Sequence, residues 1–297
     1  MLTYRLAGVL LFLSGLVTGF GHIVALWSWR GLYSFTDNRI SDFTVTECQV
    51  LRDNLGTRYV CNPAYMLTNA AYVTAAFIIV VAAGVMWLAA GREGHRSVRI
   101  PAALAAAAGA AAMLAGLFPY DVSPAIHDLS MLVHAILMWS FMAFLTGVGS
   151  ARSAGGRGPH PLIYGAYLLI TRFMLTASVV GLLALLLLGP RGLPGAYERI
   201  AFDTLTVWLM VIGVCMYSLG GAADQESRRV ADMEAAGLTG VPAPAEPEGT
   251  GATGATGTAP RRYPGFTGAW TQGWGRRRHP DENTENRGSP GSRGYRR

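Results

Sequence analysis

Six long apolar runs restrict this chain more than any other feature. They span Leu6–Trp29, Ala64–Ala90, Ile100–Leu117, a run ending near Val148, Pro161–Leu188 and Ile200–Leu219. A helix needs roughly 20 mostly apolar residues to cross a bilayer, and each run is near or above that length. Only 14% of the residues are charged, where a soluble domain carries about a quarter. The expected fold is therefore an all-α membrane protein, a six-transmembrane helix bundle over residues 1–220. Residues 30–63 form its main polar loop, and 221–297 form a largely disordered tail rich in Arg, Gly and Pro.

The first run is longer than the apolar part of a signal peptide, and no small-x-small cleavage site follows it. It reads as an uncleaved helix that ends in the interfacial aromatics Trp27 and Trp29. All 24 basic residues are Arg, which points to coding bias rather than function. It still matters physically, because a buried Arg cannot shed its charge. Arg172 is such a residue. It sits inside the fifth run near one end, and it is expected to snorkel to the interface.

Six crossings put both termini on one side. Eight Arg fall near the membrane on that side and six on the other, which favours cytoplasmic termini in a plasma-membrane protein. The 30–63 loop then faces outward. Its Cys48 and Cys61 are expected to pair as a disulfide in an oxidising compartment.

From Gly220 the composition changes. Asp224–Ala236 could extend the last helix into the cytosol. Beyond it, Pro, Gly, Ala and Thr dominate, and such a segment cannot bury a core. Arg261, Arg262 and Arg276–Arg278 are interleaved with Tyr263, Phe266, Trp270 and Trp274. In a tail tethered under a membrane this pattern suits an anionic membrane surface better than nucleic acid. The plainer reading is a solvated tail without a partner.

Most polar residues of the apolar body can be brought to one face. Phe118–Ser130 is a short polar stretch between two apolar runs and carries Asp121, His127 and Asp128. His127, Ser130 and His134 share one stripe of the fourth helix. Asn69 lies early in the second helix, Ser41 and Asp42 lie in the loop, and Glu198 and Arg199 open the sixth helix. Asp42, Asn69, Asp121, His127 and Glu198 are thus expected at one mouth of the bundle, with Arg199 as their cation and His134 one stripe deeper.

Ionisable groups beside a membrane are costly and usually have a use. Two readings stay open. One is a pocket whose candidate catalytic groups are Ser41, Asp42, Asp121 and His127, with Asn69, His134, Glu198 and Arg199 as binding residues. The other is a rim of helix caps and ion pairs. No cofactor is predicted. A metal held through His127 and Asp121 has little support, since no His-x-x-x-His or His-Glu-x-x-His is present. A Gly-x-Ser-x-Gly elbow and a phosphate-binding glycine loop are also missing.

Several landmarks occur in a particular order: Ile40-Ser41-Asp42, Asn69, Phe118-Pro119-x-Asp121 with His127 following, and Glu198-Arg199. On these the chain resembles, over about residues 5–220, the bacterial and archaeal membrane family catalogued as domain of unknown function nine-nine-eight. Where the family has Leu-Gly after Ser-Asp, this chain has Phe43-Thr44, and its cysteine-bearing loop is longer than the usual form. The resemblance implies a six-helix fold and supplies no reaction. The pattern is similar in outline to Frag1/DRAM/Sfk1-type proteins. A more distant similarity is to ceramidase-like hydrolases, whose paired-histidine motif this chain lacks.

Two functions follow as expectations. The first is a membrane protein whose outer-face pocket binds or organises lipid head groups. The second is a membrane-embedded hydrolase or transferase acting on a lipid of the outer leaflet.

Overall fold

The computed structural model describes residues 2–90, 96–154, 160 and 162–235. Six helices among them are long and apolar enough to cross a membrane, which makes the chain a multi-pass integral membrane protein. They are α1 (Leu2–Ser28), α2 (Tyr65–Ala89), α3 (Arg96–Leu117), α4 (Pro124–Ala154), α5 (Ala166–Leu188) and α6 (Pro194–Ala235). The expectations for the tail beyond residue 235 lie outside the described residues.

Three boundaries differ from the hydropathy reading. The third helix starts at Arg96, not Ile100, so the basic residues Arg96 and Arg99 form its first turn. The fifth helix starts at Ala166, not Pro161. The residues before it fold back instead, with His160 buried and its Nδ1 accepting the Leu162 amide. The sixth helix opens at Pro194, not Ile200, and it runs on to Ala235, in line with the extension read at Asp224–Ala236. Proline suits a first turn, where its missing N–H has no helical partner anyway.

In the bundle, α1 lies between α2 and α6, α3 lies between α2 and α4, and α5 packs on α6. Small residues set the closest approaches. A Cβ on Gly8 would sit 2.5 Å from the Gly213 carbonyl oxygen, and one on Gly213 would sit 2.5 Å from that of Gly8. Helices in lipid gain their packing energy from such backbone proximity. The contact between α4 and the α5–α6 pair is looser. Large buried side chains such as Trp208, Phe141 and Met138 fill the inner part of the bundle. Arg172 is exposed and donates to Ser150 Oγ near the end of α4, as a snorkelling side chain does.

One end of the bundle carries a cap built from the loop after α1. The loop, read as irregular from sequence, holds a short 3-10 helix (Ser41–Thr44) and an antiparallel hairpin, β1 (Gln49–Asp53) and β2 (Gly56–Val60). Cys48 and Cys61 are joined by a disulfide at the open end of the hairpin. Val45, Val60 and Tyr120 form a small core beneath it.

Candidate functional site

Ser41 and Asp42 lie in the 3-10 helix and are both buried. Asp42 is fully enclosed, and four donors satisfy it. Arg58 binds it through Nε and Nη2 at 2.7 Å each, the Arg39 amide donates at 2.9 Å, and Asn38 Nδ2 donates at 3.5 Å. Arg58 also reaches Asp53 through Nη1. Tyr120 donates its hydroxyl to Asp53 at 2.9 Å, and the Arg39 guanidinium lies 4.3 Å from the Tyr120 ring centre. This network locks hairpin, 3-10 helix and the α3–α4 corner together.

Its titration follows from its partners. Burial pulls the Arg58 guanidinium down, but the hydrogen bonds and charges of Asp42 and Asp53 outweigh it and hold it above the ordinary value. Burial likewise pushes the Asp53 carboxyl up. The Leu55 amide, Arg58, the Tyr120 hydroxyl and Arg39 overcome that and leave it below the usual carboxylate range.

Glu198, on the first turns of α6, points at the start of the 3-10 helix. Its Oε2 accepts the amides of Ile40 and Ser41. A carboxylate there satisfies amides that have no helical partner. Arg199 faces the same loop. It donates to the carbonyls of Asn38 and Gly195 at 2.8 Å, to that of Phe35 at 3.3 Å, and to the Tyr33 hydroxyl. Asp121 accepts the Thr46 amide at 2.9 Å and the Thr46 hydroxyl at 2.7 Å. Asn69 donates to the Thr44 carbonyl at 3.0 Å. Asp42, Asn69, Asp121 and Arg199 thus fasten the cap.

Under the cap lies a cavity of about 110 Å³. Its polar end holds Ser41, Glu198, His22, Asp203, His127 and Tyr72, and its deeper end is walled by Ala75, Ala76, Ile79 and Ala112. The two α4 histidines enter it in the same way. His127 Nδ1 lies 2.9 Å from the Ala115 carbonyl oxygen and 3.0 Å from that of Phe118. His134 Nδ1 lies 2.9 Å from the Ala108 carbonyl oxygen. Carbonyls only accept, so each Nδ1 carries the hydrogen. Each Nε2 keeps a lone pair with no protein partner among the described residues. Tyr72 Oη and Ser41 Oγ are also buried without a close hydrogen-bond partner among the described residues, Ser41 Oγ facing the Glu198 carboxyl. His22 Nδ1 is 3.8 Å from Asp203 Oδ1.

A second recess of about 280 Å³ opens beside this one, between α4 and the α5–α6 pair. Leu129, Leu132, Leu182, Leu185 and Leu186 line its apolar length, and Arg39, Asn54 and Asp128 lie at its capped end. It shares His127, Met131, Glu198 and Phe202 with the first cavity. The hairpin tip crosses its capped end, where Leu55 packs against Gly189 so closely that a Cβ there would lie 2.6 Å from a Leu55 methyl.

The expected site residues therefore divide in two. Ser41, His127, His134 and Glu198 share the cavity. The cation for the carboxylates is Arg58, aided by Arg39, in place of the expected Arg199. Asp121 turns to Thr46, so it and His127 do not present a chelating pair. Among the described residues no three of His, Cys, Asp and Glu converge to hold a metal ion. Tyr72, Arg58, Arg39 and Asp53 escaped the sequence reading. Arg58 and Asp53 sit in a hairpin whose inward charges break the apolar alternation, and Arg39 lies in the loop before the 3-10 helix, so none of the three had a periodic signal.

The family model described as Protein of unknown function (DUF998) matches residues 6–215, and the chain belongs to that family. No curated protein and no solved structure matches the chain.

Proposed function

We propose, from the shape of its cavity, that the protein binds a membrane amphiphile, head group first, beneath the cap. One observation carries this reading. The cavity is polar under the cap, where Ser41, Tyr72 and His127 Nε2 keep hydrogen-bonding capacity, and mainly apolar deeper in, where His134 is the polar exception. Such a gradient suits a molecule with a polar head and an apolar body. The cap is the outer face, and both termini are cytoplasmic in a plasma-membrane protein. The disulfide supports this, since such bonds persist in oxidising compartments. The residues beyond the last helix then form a cytosolic tail, whose interleaved Arg and aromatic residues suit an anionic membrane surface.

The hydrolase or transferase reading is the second one. Ser41 and His127 line one cavity, but two of its expected groups, Asp42 and Asp121, are engaged by Arg58 and Thr46. This leaves binding as the better-supported function.

The test is to extract and identify what the purified full-length protein carries. A stoichiometric amphiphile, lost when Ala112→Phe fills the apolar end, is the expected result. Protein that carries none would overturn the reading. Lipid turnover that His127→Ala abolishes would replace binding with catalysis.

A further inference from the structure

We infer that the recess between α4 and the α5–α6 pair is a lateral passage that takes a zwitterionic phospholipid from the bilayer, phosphate on Arg39 and primary ammonium on Asp128. This rests on the amphiphile-binding reading and names the class of ligand and its route.

Three observations carry it. The first is Arg39, which lines the recess with only 4% of its surface exposed. Its Nε and Nη2 are buried and make no hydrogen bond among the described residues. Its ion pair with Asp53 is at 3.6 Å, beyond hydrogen-bond reach, so an acceptor that enters beside the guanidinium would be the first these planar donors meet. A buried guanidinium with spare donors matches phosphate oxygens in charge and geometry.

The second is the balance of charge. Arg39 and Arg58 are offset by Asp42 and Asp53 within the cap network. Asp128 and Glu198 remain at the capped end of the recess. Glu198 already accepts two amides, whereas Asp128 has no hydrogen-bond partner among the described residues. A phosphate alone would bring a further acidic group to a mouth that already holds two carboxyls. A head group that also carries a cation corrects it. A primary ammonium offers three donors to Asp128. A quaternary ammonium offers none and favours aromatic faces, of which the recess presents only Phe202.

The third is continuity. The leucines of α4 and α5 run along the recess, where an acyl chain would lie, and four residues are common to the recess and the cavity. A lipid that slides between the helices therefore reaches the polar end of the cavity without leaving apolar surroundings.

Native mass spectrometry of the full chain with equal amounts of phosphatidylethanolamine, phosphatidylcholine and phosphatidylglycerol tests this. The wild type should retain the ethanolamine lipid by roughly tenfold over either competitor, a difference of about 1.4 kcal/mol. Asp128→Asn should reduce that preference to near unity while the protein stays folded. Arg39→Gln should weaken all three lipids. Leu132→Trp, at the membrane side of the recess, should do the same and controls for any loss of cap structure in the Arg39 variant. Equal retention of the three lipids, or a preference unchanged in Asp128→Asn, overturns the inference. If Ala112→Phe removes bound lipid while Leu132→Trp and Asp128→Asn have no effect, the central cavity stands and the passage falls. If the wild type retains no lipid, both fall.

Discussion

Arg58 grips Asp42 through two parallel hydrogen bonds, Nε to Oδ2 and Nη2 to Oδ1, each 2.7 Å long. The pair is buried, with 8% of the Arg58 side chain exposed and none of Asp42. Removing one partner leaves the other charge without compensation, at a cost of about 3–5 kcal/mol. Arg58→Met should therefore release the cap, and Arg58→Lys should not restore it, because an ammonium cannot bond both oxygens in this fork. Thermal unfolding followed by hairpin-specific proteolysis reads the effect. A variant as protease-resistant as the wild type would show the pair to be dispensable.

Acid should loosen the cap through Asp53. Burial raises this carboxyl, but the Leu55 amide, Arg58, Tyr120 and Arg39 together hold it below the ordinary value. Its contribution is fully present at neutral pH, above the unfolded-state value of about 3.9, and is lost as pH falls through the lower folded-state value. Proteolysis of the hairpin between pH 5 and pH 2 should rise steeply in the wild type. In Asp53→Asn the cap should be weaker at pH 7 and the acid dependence shallower. Equal acid slopes would assign the dependence to another group.

The disulfide closes the hairpin with a sequence separation of 13 residues. A loop of that size is worth about 3 kcal/mol in the chain-entropy account. Reduction, or Cys48→Ser with Cys61→Ser, should expose residues 49–60 to protease while α1–α6 keep their helical circular dichroism. Unchanged cleavage would show that Arg58 and Tyr120 hold the hairpin without the bridge.

Much of the bundle was legible because lipid demands continuous apolar helices, and hydropathy reports them directly. The cap was not, because its inner face carries charge. In β1 the inward positions are Gln49, Leu51 and Asp53, and the residue opposite Leu51 is Arg58. Two charged inward residues erase the usual apolar alternation. The two-residue turn, Asn54 and Leu55, also lacks the Asn-Gly signature of a tight hairpin. The fifth helix began late because His160 and Ile163 form a local bridge that no periodicity announces. Polar depth was readable from helix position, which brought His127, His134, Ser41 and Glu198 to one end. Their partners were not, since the Arg58–Asp42 and Thr46–Asp121 contacts join segments with no local sequence relation.

Gly195 tests how the cap sits on α6. Its amide donates to the Thr36 carbonyl at 2.8 Å, and a Cβ would lie 2.4 Å from the Asn38 carbonyl oxygen. The atoms that the Cβ would meet belong to the loop backbone, so the loop itself must move. Gly195→Ala should therefore lift residues 34–39 from α6 and break the Glu198 bonds to Ile40 and Ser41. The expected readout is faster amide hydrogen exchange across 38–44 with little change in α2 and α3. Wild-type exchange in that segment would mean that α6 tilts to accommodate the methyl.

The orientation of the bundle is settled by which end a membrane-impermeant maleimide reaches. Thr57 is an exposed hairpin residue on the capped end, and Ser97 lies in the first turn of α3 at the other. The native thiol, Cys215, is buried and gives little background. The proposed orientation, argued from the disulfide and the Arg distribution, has the cap outside. Thr57→Cys should thus be labelled in intact cells, and Ser97→Cys only after the membrane is permeabilised. The opposite pattern would put the cap and its cavity in the cytoplasm. The Cys48–Cys61 bridge would then face glutathione, and the amphiphile would have to come from the inner leaflet.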